Sequence, residues 1–261
     1  MIGRATAGLE RPPRAWLQAL LGIPDVDARL KWHAVWPHLS RLPHNDVRLL
    51  DAGCGSGHWL AEIATRRPGW RLTGVDCSPR RLLEAQSLCG RLDLQNVTLA
   101  RADFLEYQAD GEFDVVLSVC AAHYLAGAGK GTELFLRFAS WIRVGGRILL
   151  MVPRRSADVR SFGFLRPVGK RTAFSSDELA GLCRASGLTV QTITGAVGPL
   201  GIWAKQIGWF ASRKGRLLSA VLWPVRLMLA ELDAKQRFPS QGGSLMLVAL
   251  ATKGPAVDHT A

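Results

Sequence analysis

Residues 47–60 read VRLLDAGCGSGHWL. Val47 to Leu50 is a continuous apolar run once Arg48 is passed, the pattern of a strand that enters a buried sheet. The run ends in an acid, Asp51, and glycine then stands at 53, 55 and 57 before the chain turns apolar again at Trp59 and Leu60. Glycine on alternate positions permits a tight turn and a close approach of backbone to whatever lies against it. The stretch therefore predicts a strand over 47–52, a glycine turn, and a helix from about Trp59 to Arg67.

Moving outward, the same rhythm repeats. Strand 71–76 is followed by a helix from Pro79 to Cys89, then by strands 97–102 and 113–119, a helix over 132–142, the turn Val144-Gly145-Gly146 and strand 147–152. Strands that alternate with helices imply a mostly parallel, doubly wound sheet with helices on both faces. Downstream, FSSDELAGLCRASGL predicts a helix that Ser175 or Ser176 caps, with Glu178 in support and Gly187 as its stop. A strand over 188–194, a helical segment over 199–234, and the near-continuous apolar run of GGSLMLVALATK complete the series. Upstream, Trp16, Leu17, Leu20, Leu21, Leu30, Trp32, Val35 and Trp36 recur at helical spacing with breaks at Gly22, Pro24 and Pro37, which predicts short helices. The expected organisation is one domain over 1–254: an N-terminal helical cap (12–42), a core (47–152), a second half (153–254), and a tail (255–261).

Composition bounds the class of protein. With 261 residues, 48% hydrophobic and 21% charged, the chain has ample material for a buried core and is not of a disordered type. Five cysteines, an odd number with no Cys-x-x-Cys pair and no cluster with histidine, predict reduced thiols and no structural metal site. The N-terminus lacks the unbroken apolar core of a secretory signal, so a cytoplasmic location is expected. Thirty-three Lys and Arg against 21 Asp and Glu give a net charge of +12, which draws anions but does not by itself define a site.

A glycine turn that opens a helix presents unpaired backbone N–H groups to polar or anionic ligand groups. Dinucleotides and S-adenosylmethionine both use this device. The dinucleotide fingerprint asks for Gly-x-Gly-x-x-Gly or Ala. In Gly53-Cys54-Gly55-Ser56-Gly57-His58 the last position is His58, which disfavours a dinucleotide. With the acid placed first, DAGCGSG resembles the signature of class I S-adenosylmethionine-dependent methyltransferases. RLTGVDCSP, ARADF, FDVVLSVCAAHYL and WIRVGGRILLMVP are similar to that family's later landmarks in the same order. The resemblance implies a Rossmann-like α/β fold with a seven-stranded sheet and S-adenosylmethionine as cofactor. It implies that Asp76 accepts hydrogen bonds from the ribose hydroxyls and that Asp103 takes the adenine amino group. The expected cofactor set is Asp51, Gly53, Cys54, Gly55, Gly57, Asp76, Cys77, Asp103, Phe104 and Ser118.

In such chemistry the methyl group arrives activated, so the protein's main task is alignment. His123, just past the fourth strand, is the candidate base for an acceptor that must lose a proton; packing beside the adenine is its other reading. Tyr124, Arg154 and Arg155 are the candidate acceptor contacts, the arginines within a basic loop that also holds Arg160, Arg166, Lys170 and Arg171. After strand four, Ser118-Val119-Cys120-Ala121 lacks the Asn/Asp-Pro-Pro-aromatic pattern of nucleic-acid amino methylation, and Cys120 lacks the adjoining proline of pyrimidine C5 methylation. A small-molecule or lipid-like acceptor is therefore expected, with RNA and a non-catalytic nucleotide-binding role as alternatives. The 199–234 segment pairs apolar helical spacing with Lys205, Arg213, Lys214, Arg216 and Arg226, which reads either as a lid over the acceptor or as a peripheral membrane contact.

Overall fold

A computed structural model describes residues 25–109, 111–155, 173–236, 238 and 244–255. The chain divides into two compact units: one holds Val26–Ala34 and the 197–236 segment, the other Val35–Ala196 and the strand that closes the chain.

The elements of the larger unit are β1 (Arg48–Ala52), α2 (His58–Arg66), β2 (Arg71–Asp76), α3 (Pro79–Arg91), β3 (Val97–Arg101), β4 (Phe113–Val119), the short turn α4 (Ala122–Leu125), α5 (Gly131–Trp141), β5 (Ile142–Pro153), α6 (Ser176–Ala185), β6 (Leu188–Ala196) and β7 (Met246–Lys253). The strands form one seven-stranded sheet in the order β3-β2-β1-β4-β5-β7-β6. Strands β1 to β5 run parallel, while β7 pairs antiparallel with both β5 and β6. Chain order moves outward from β1 to β3 and then jumps back to β4 on the other side of β1. This is the topological switch point at which open α/β sheets bind ligands.

Local chemistry accounts for the elements. In α2, Leu60, Ala61, Ile63 and Ala64 are buried, which is the i, i+3, i+4 face that a short helix needs to hold against a sheet. Pro79 sits in the first turn of α3 behind Ser78, whose hydroxyl accepts from the Arg81 N–H. Ser175 caps α6 in a reciprocal capping box with Glu178, which resolves the choice between Ser175 and Ser176. Phe135, Phe138 and Trp141 on α5 form a ladder of tilted ring contacts over the core with Leu134 and Ile142.

Two sequence expectations are corrected. Val144-Gly145-Gly146 is not a turn ahead of a strand but a bulge inside β5, which already begins at Ile142. The register passes from Phe113↔Ile142 to Val115↔Arg147, so the extra residues loop out, with Gly145 at φ 74°. Pro37 does not break a helix: α1 runs from Val26 to Leu39 with Pro37 inside it. In the last turn few backbone bonds remain for a proline to interrupt, and the Ser40 N–H still reaches the Trp36 carbonyl at 2.8 Å. The expected helices over 12–24 and most of the basic loop, Arg160 to Arg171, lie outside the described residues.

The smaller unit is built on two helices, α7 (Pro199–Lys214) and α8 (Arg216–Ala234), joined at Gly215 and packed on one another. Small residues make the close approach possible. A Cβ on Gly208 would collide with the Arg226 guanidinium, which donates to the Ala204 carbonyl at 3.0 Å. Asp233 is buried near the end of α8, where its carboxylate accepts from the N–H groups of Gly198 and Gly201 at 2.9 Å each and so caps α7 from another helix. Glu231 pairs with Arg29 and His33, and Lys205 with Asp27, which ties the start of α1 to both helices.

Candidate functional site

The three glycines of the first β–α turn all take positive φ, 92° at Gly53, 56° at Gly55 and 76° at Gly57. They are required for different reasons. A Cβ on Gly53 would collide with the Ala121 Cβ and lie 3.2 Å from Phe104 Cζ. A Cβ on Gly57 would lie 2.8 Å from that of Ala85 on α3. At Gly55 the nearest atom, Arg81 Nη1, is 3.5 Å away, so there the backbone conformation alone calls for glycine. The N–H groups of Gly53 and Cys54 both donate to the Val75 carbonyl, at 2.7 and 3.1 Å, and this fastens the turn to β2.

Strand ends bring the acids to this turn. Asp76, the last residue of β2, is buried; Oδ2 accepts from the Gly55 N–H at 3.0 Å and Oδ1 from the Ser78 N–H at 2.9 Å. Each oxygen keeps a second lone pair for a ligand hydroxyl. Asp51, on β1, is 3% exposed. Burial and then the neighbouring Asp76 charge push its carboxyl up to about 7. Asp103 follows β3 and engages one oxygen in a local turn, accepting from the Leu105 N–H at 2.9 Å. Phe104 beside it reaches Gly53 and meets Phe138 edge-on with centroids 6.2 Å apart.

The exit of β4 closes the other side. Cys120 adopts φ 57° and donates its N–H to the Met151 carbonyl at 2.8 Å; Ala121 then lies against Gly53. His123 is 1% exposed, with its ring 4.1 Å from that of Tyr124, which is itself exposed.

Turn, Asp76, Phe104 and Ala121 are thus assembled at one place, while other expected residues have different surroundings. The Cys54 side chain points inward, with its sulfur 2.9 Å from where a Gly74 Cβ would stand, and burial pushes its thiol well above the ordinary range. Only its backbone faces the turn. Ser118 is fully buried and donates to the Ala52 carbonyl at 2.9 Å, a tie between β4 and β1. Cys77 is exposed just past Asp76. Arg154, at the end of β5, reaches Ser244 Oγ at 3.4 Å, and Arg155 forms an ion pair with Glu178 of the α6 capping box. Sequence reasoning missed Ala121 and Arg81. Small residues after β4 were the available signal for the first; Arg81 carries none, because its nearness to Gly55 depends on how α3 is set.

An open groove of about 610 Å³ lies elsewhere, between α3 and the edge strand β3, lined by Leu83, Gln86, Asp93 and Arg101 among others. It includes neither the glycine turn nor the acids.

A doubly wound sheet with a three-glycine turn at its switch point, and acids at the ends of the first strands, defines a nucleotide-binding α/β fold of the class I methyltransferase type. The residues fit S-adenosylmethionine. Asp76 offers acceptors for a diol, and Asp51 is a buried acid beside a second acid, a pair that a cationic ligand relieves. Residues 49–146 match the family model described as "Methyltransferase domain". The trans-aconitate 2-methyltransferase of Streptomyces coelicolor is 29% identical over 144 residues, which cover 55% of this chain and 46% of that protein. The chain thus spans about half the length of the curated relatives it matches. Among solved structures, a putative sarcosine dimethylglycine methyltransferase from Galdieria sulphuraria superimposes with a TM-score of 0.61 at 15% identity, over 87% of this chain and 86% of that one. Geranyl diphosphate C-methyltransferase from Streptomyces coelicolor gives 0.58 at 16% identity, over 87% and 78%. Both likenesses establish the fold.

Proposed function

We propose that this protein transfers a methyl group from S-adenosylmethionine to a small organic acceptor at O, N or C by in-line displacement. The observation that carries this reading is the convergence of the Gly53–Gly57 turn with Asp76, its neighbour Asp51, and Phe104 next to Asp103. In this reading Asp76 accepts from the ribose hydroxyls, Asp103 takes the adenine amino group, and Asp51 faces a cationic part of the cofactor. The backbone at Gly53 and Gly55 allows close approach. When bound, the cofactor supplies a methyl group already activated on a sulfonium, so no residue of the chain has to create the electrophile. The protein's contribution is to align the acceptor and exclude water.

His123 is assigned as the proton acceptor for an acceptor group that must deprotonate. Its burial at the exit of β4 suits a base that works away from solvent. His123→Gln should lower kcat and remove the rise of kcat with pH that an ionising imidazole gives, while leaving cofactor affinity within about twofold. An unchanged pH profile would make His123 a packing residue instead. Tyr124, Arg154 and Arg155, past the ends of β4 and β5, are the proposed acceptor contacts.

A small-molecule acceptor is supported by the relatives, whose names specify trans-aconitate and pavine. RNA is the second reading, on the +12 charge. Two measurements test the proposal. Calorimetry with S-adenosylhomocysteine should show binding that Asp76→Ala weakens at least tenfold and no comparable affinity for NAD. Incubation of methyl-labelled cofactor with separated small-molecule, lipid and RNA fractions should place label outside RNA. Label in RNA alone overturns the acceptor class, and binding without any transfer leaves a non-catalytic nucleotide-binding protein.

A further inference from the structure

The α7–α8 hairpin carries more apolar surface than its own packing uses. On α8, Leu217, Val221, Val225, Met228 and Leu232 recur at the i, i+4, i+8, i+11, i+15 spacing of one helix face, and all are exposed, Leu217 by 81% and Val221 by 64%. The buried positions Arg226, Ala230 and Asp233 lie off that face. On α7, Trp203, Phe210 and Lys214 share an exposed face, while Gly201, Ala204, Gly208 and Ala211 form the buried one. A helix with apolar residues all round and one side left to solvent is missing a neighbour.

Charge identifies that neighbour. From Pro199 to Ala230 there is no acidic residue; Lys205 pairs with Asp27 and Arg226 is buried, which leaves Arg213, Lys214 and Arg216 as the basic cluster at the corner. The acids that follow are turned inward: Glu231 pairs with Arg29 and His33, and Asp233 caps α7. At the corner the Arg213 guanidinium stands 3.9 Å over the Trp209 ring and the Lys214 ammonium 5.9 Å over Phe210. Aromatic rings that carry cations on their faces suit the boundary between acyl chains and phosphate headgroups, where the ring enters the apolar layer and the cation meets the anion. Among the described residues no helix is long and apolar enough to cross a membrane. A hairpin of this kind can lie on a bilayer but not pass through it.

We propose that the exposed face of α7–α8 is a peripheral docking surface for an anionic lipid bilayer. It requires no bound cofactor, so its failure and the failure of the methyl-transfer reading are separable. The test uses the full chain with vesicles of phosphatidylcholine alone and of phosphatidylcholine mixed with phosphatidylglycerol. The protein should float with the mixed vesicles, less so with the neutral ones, and less as salt is raised. Its tryptophan emission should shift to the blue on binding. Leu217→Glu combined with Val221→Glu places charge on two exposed positions, so the thermal midpoint and S-adenosylhomocysteine affinity should hold. Partition should fall by about tenfold or more, since two apolar side chains leave the interface. Equal partition of the variant and wild type, or no flotation of wild type at low salt, would overturn the proposal. So would a concentration-dependent dimer that the double variant dissolves in the absence of vesicle binding, because a second copy of the chain would then be the occupant.

Discussion

Among single residues, Asp51 is the buried acid whose protonation the fold alters. Its folded carboxyl sits near 7 rather than in the ordinary carboxylate range, so the fold favours the protonated form. The sign follows: between about pH 4 and 7 the native state holds a proton that the unfolded chain has released, so stability from this group is present below that window and lost as pH rises through it. A tenfold difference in acidity between folded and unfolded chain is worth about 1.4 kcal/mol. Asp51→Asn should flatten the pH dependence of stability across that window, measured by urea denaturation. A cationic ligand beside Asp51 reverses the preference and releases the proton on binding. S-adenosylhomocysteine affinity should therefore rise between about pH 6 and 8 in the wild type and vary little in Asp51→Asn. Wild-type binding that ignores pH over that range would remove Asp51 from the ligand's charge. The glycines make a second contrast. Gly53→Ala forces the turn against Ala121 and should abolish cofactor binding. Gly55→Ala meets only ordinary contact with Arg81 and should cost about 1–2 kcal/mol of backbone strain, with binding weakened rather than lost.

Elements show where local signals suffice. Ser175→Ala removes one half of the α6 capping box and should cost about 1 kcal/mol in chemical denaturation, less if the Arg155–Glu178 pair holds the turn. The capping box was legible because its two residues stand three apart in sequence. The cap of α7 was not, since Asp233 reaches Gly198 and Gly201 from the far end of the next helix. Asp233→Ala leaves those buried N–H groups without their partner and should destabilise by about 2–3 kcal/mol. The bulge in β5 belongs to the same category. Val144-Gly145-Gly146 has turn composition, and only the pairing of Phe113 with Ile142 makes it part of a strand.

For the molecule as a unit, the linear chain already carries the order of strands and helices, the place of the glycine turn, the caps of α3 and α6, and the acids at the ends of the strands. These follow from periodicity and from interactions within a few residues, which the chain keeps wherever it is cut. Only the closed fold settles that Gly53 abuts Ala121 and Phe104, that Ser118 and the Cys54 side chain serve the sheet, and that Asp51 is pushed toward neutrality. It also settles which apolar side chains of α7 and α8 stay in solvent: Leu217 and Leu218 are adjacent and chemically identical, yet one is 81% exposed and the other is partly buried. Burial, desolvation and steric contact are sums over neighbours distant in sequence, so they exist only once the chain has closed on itself.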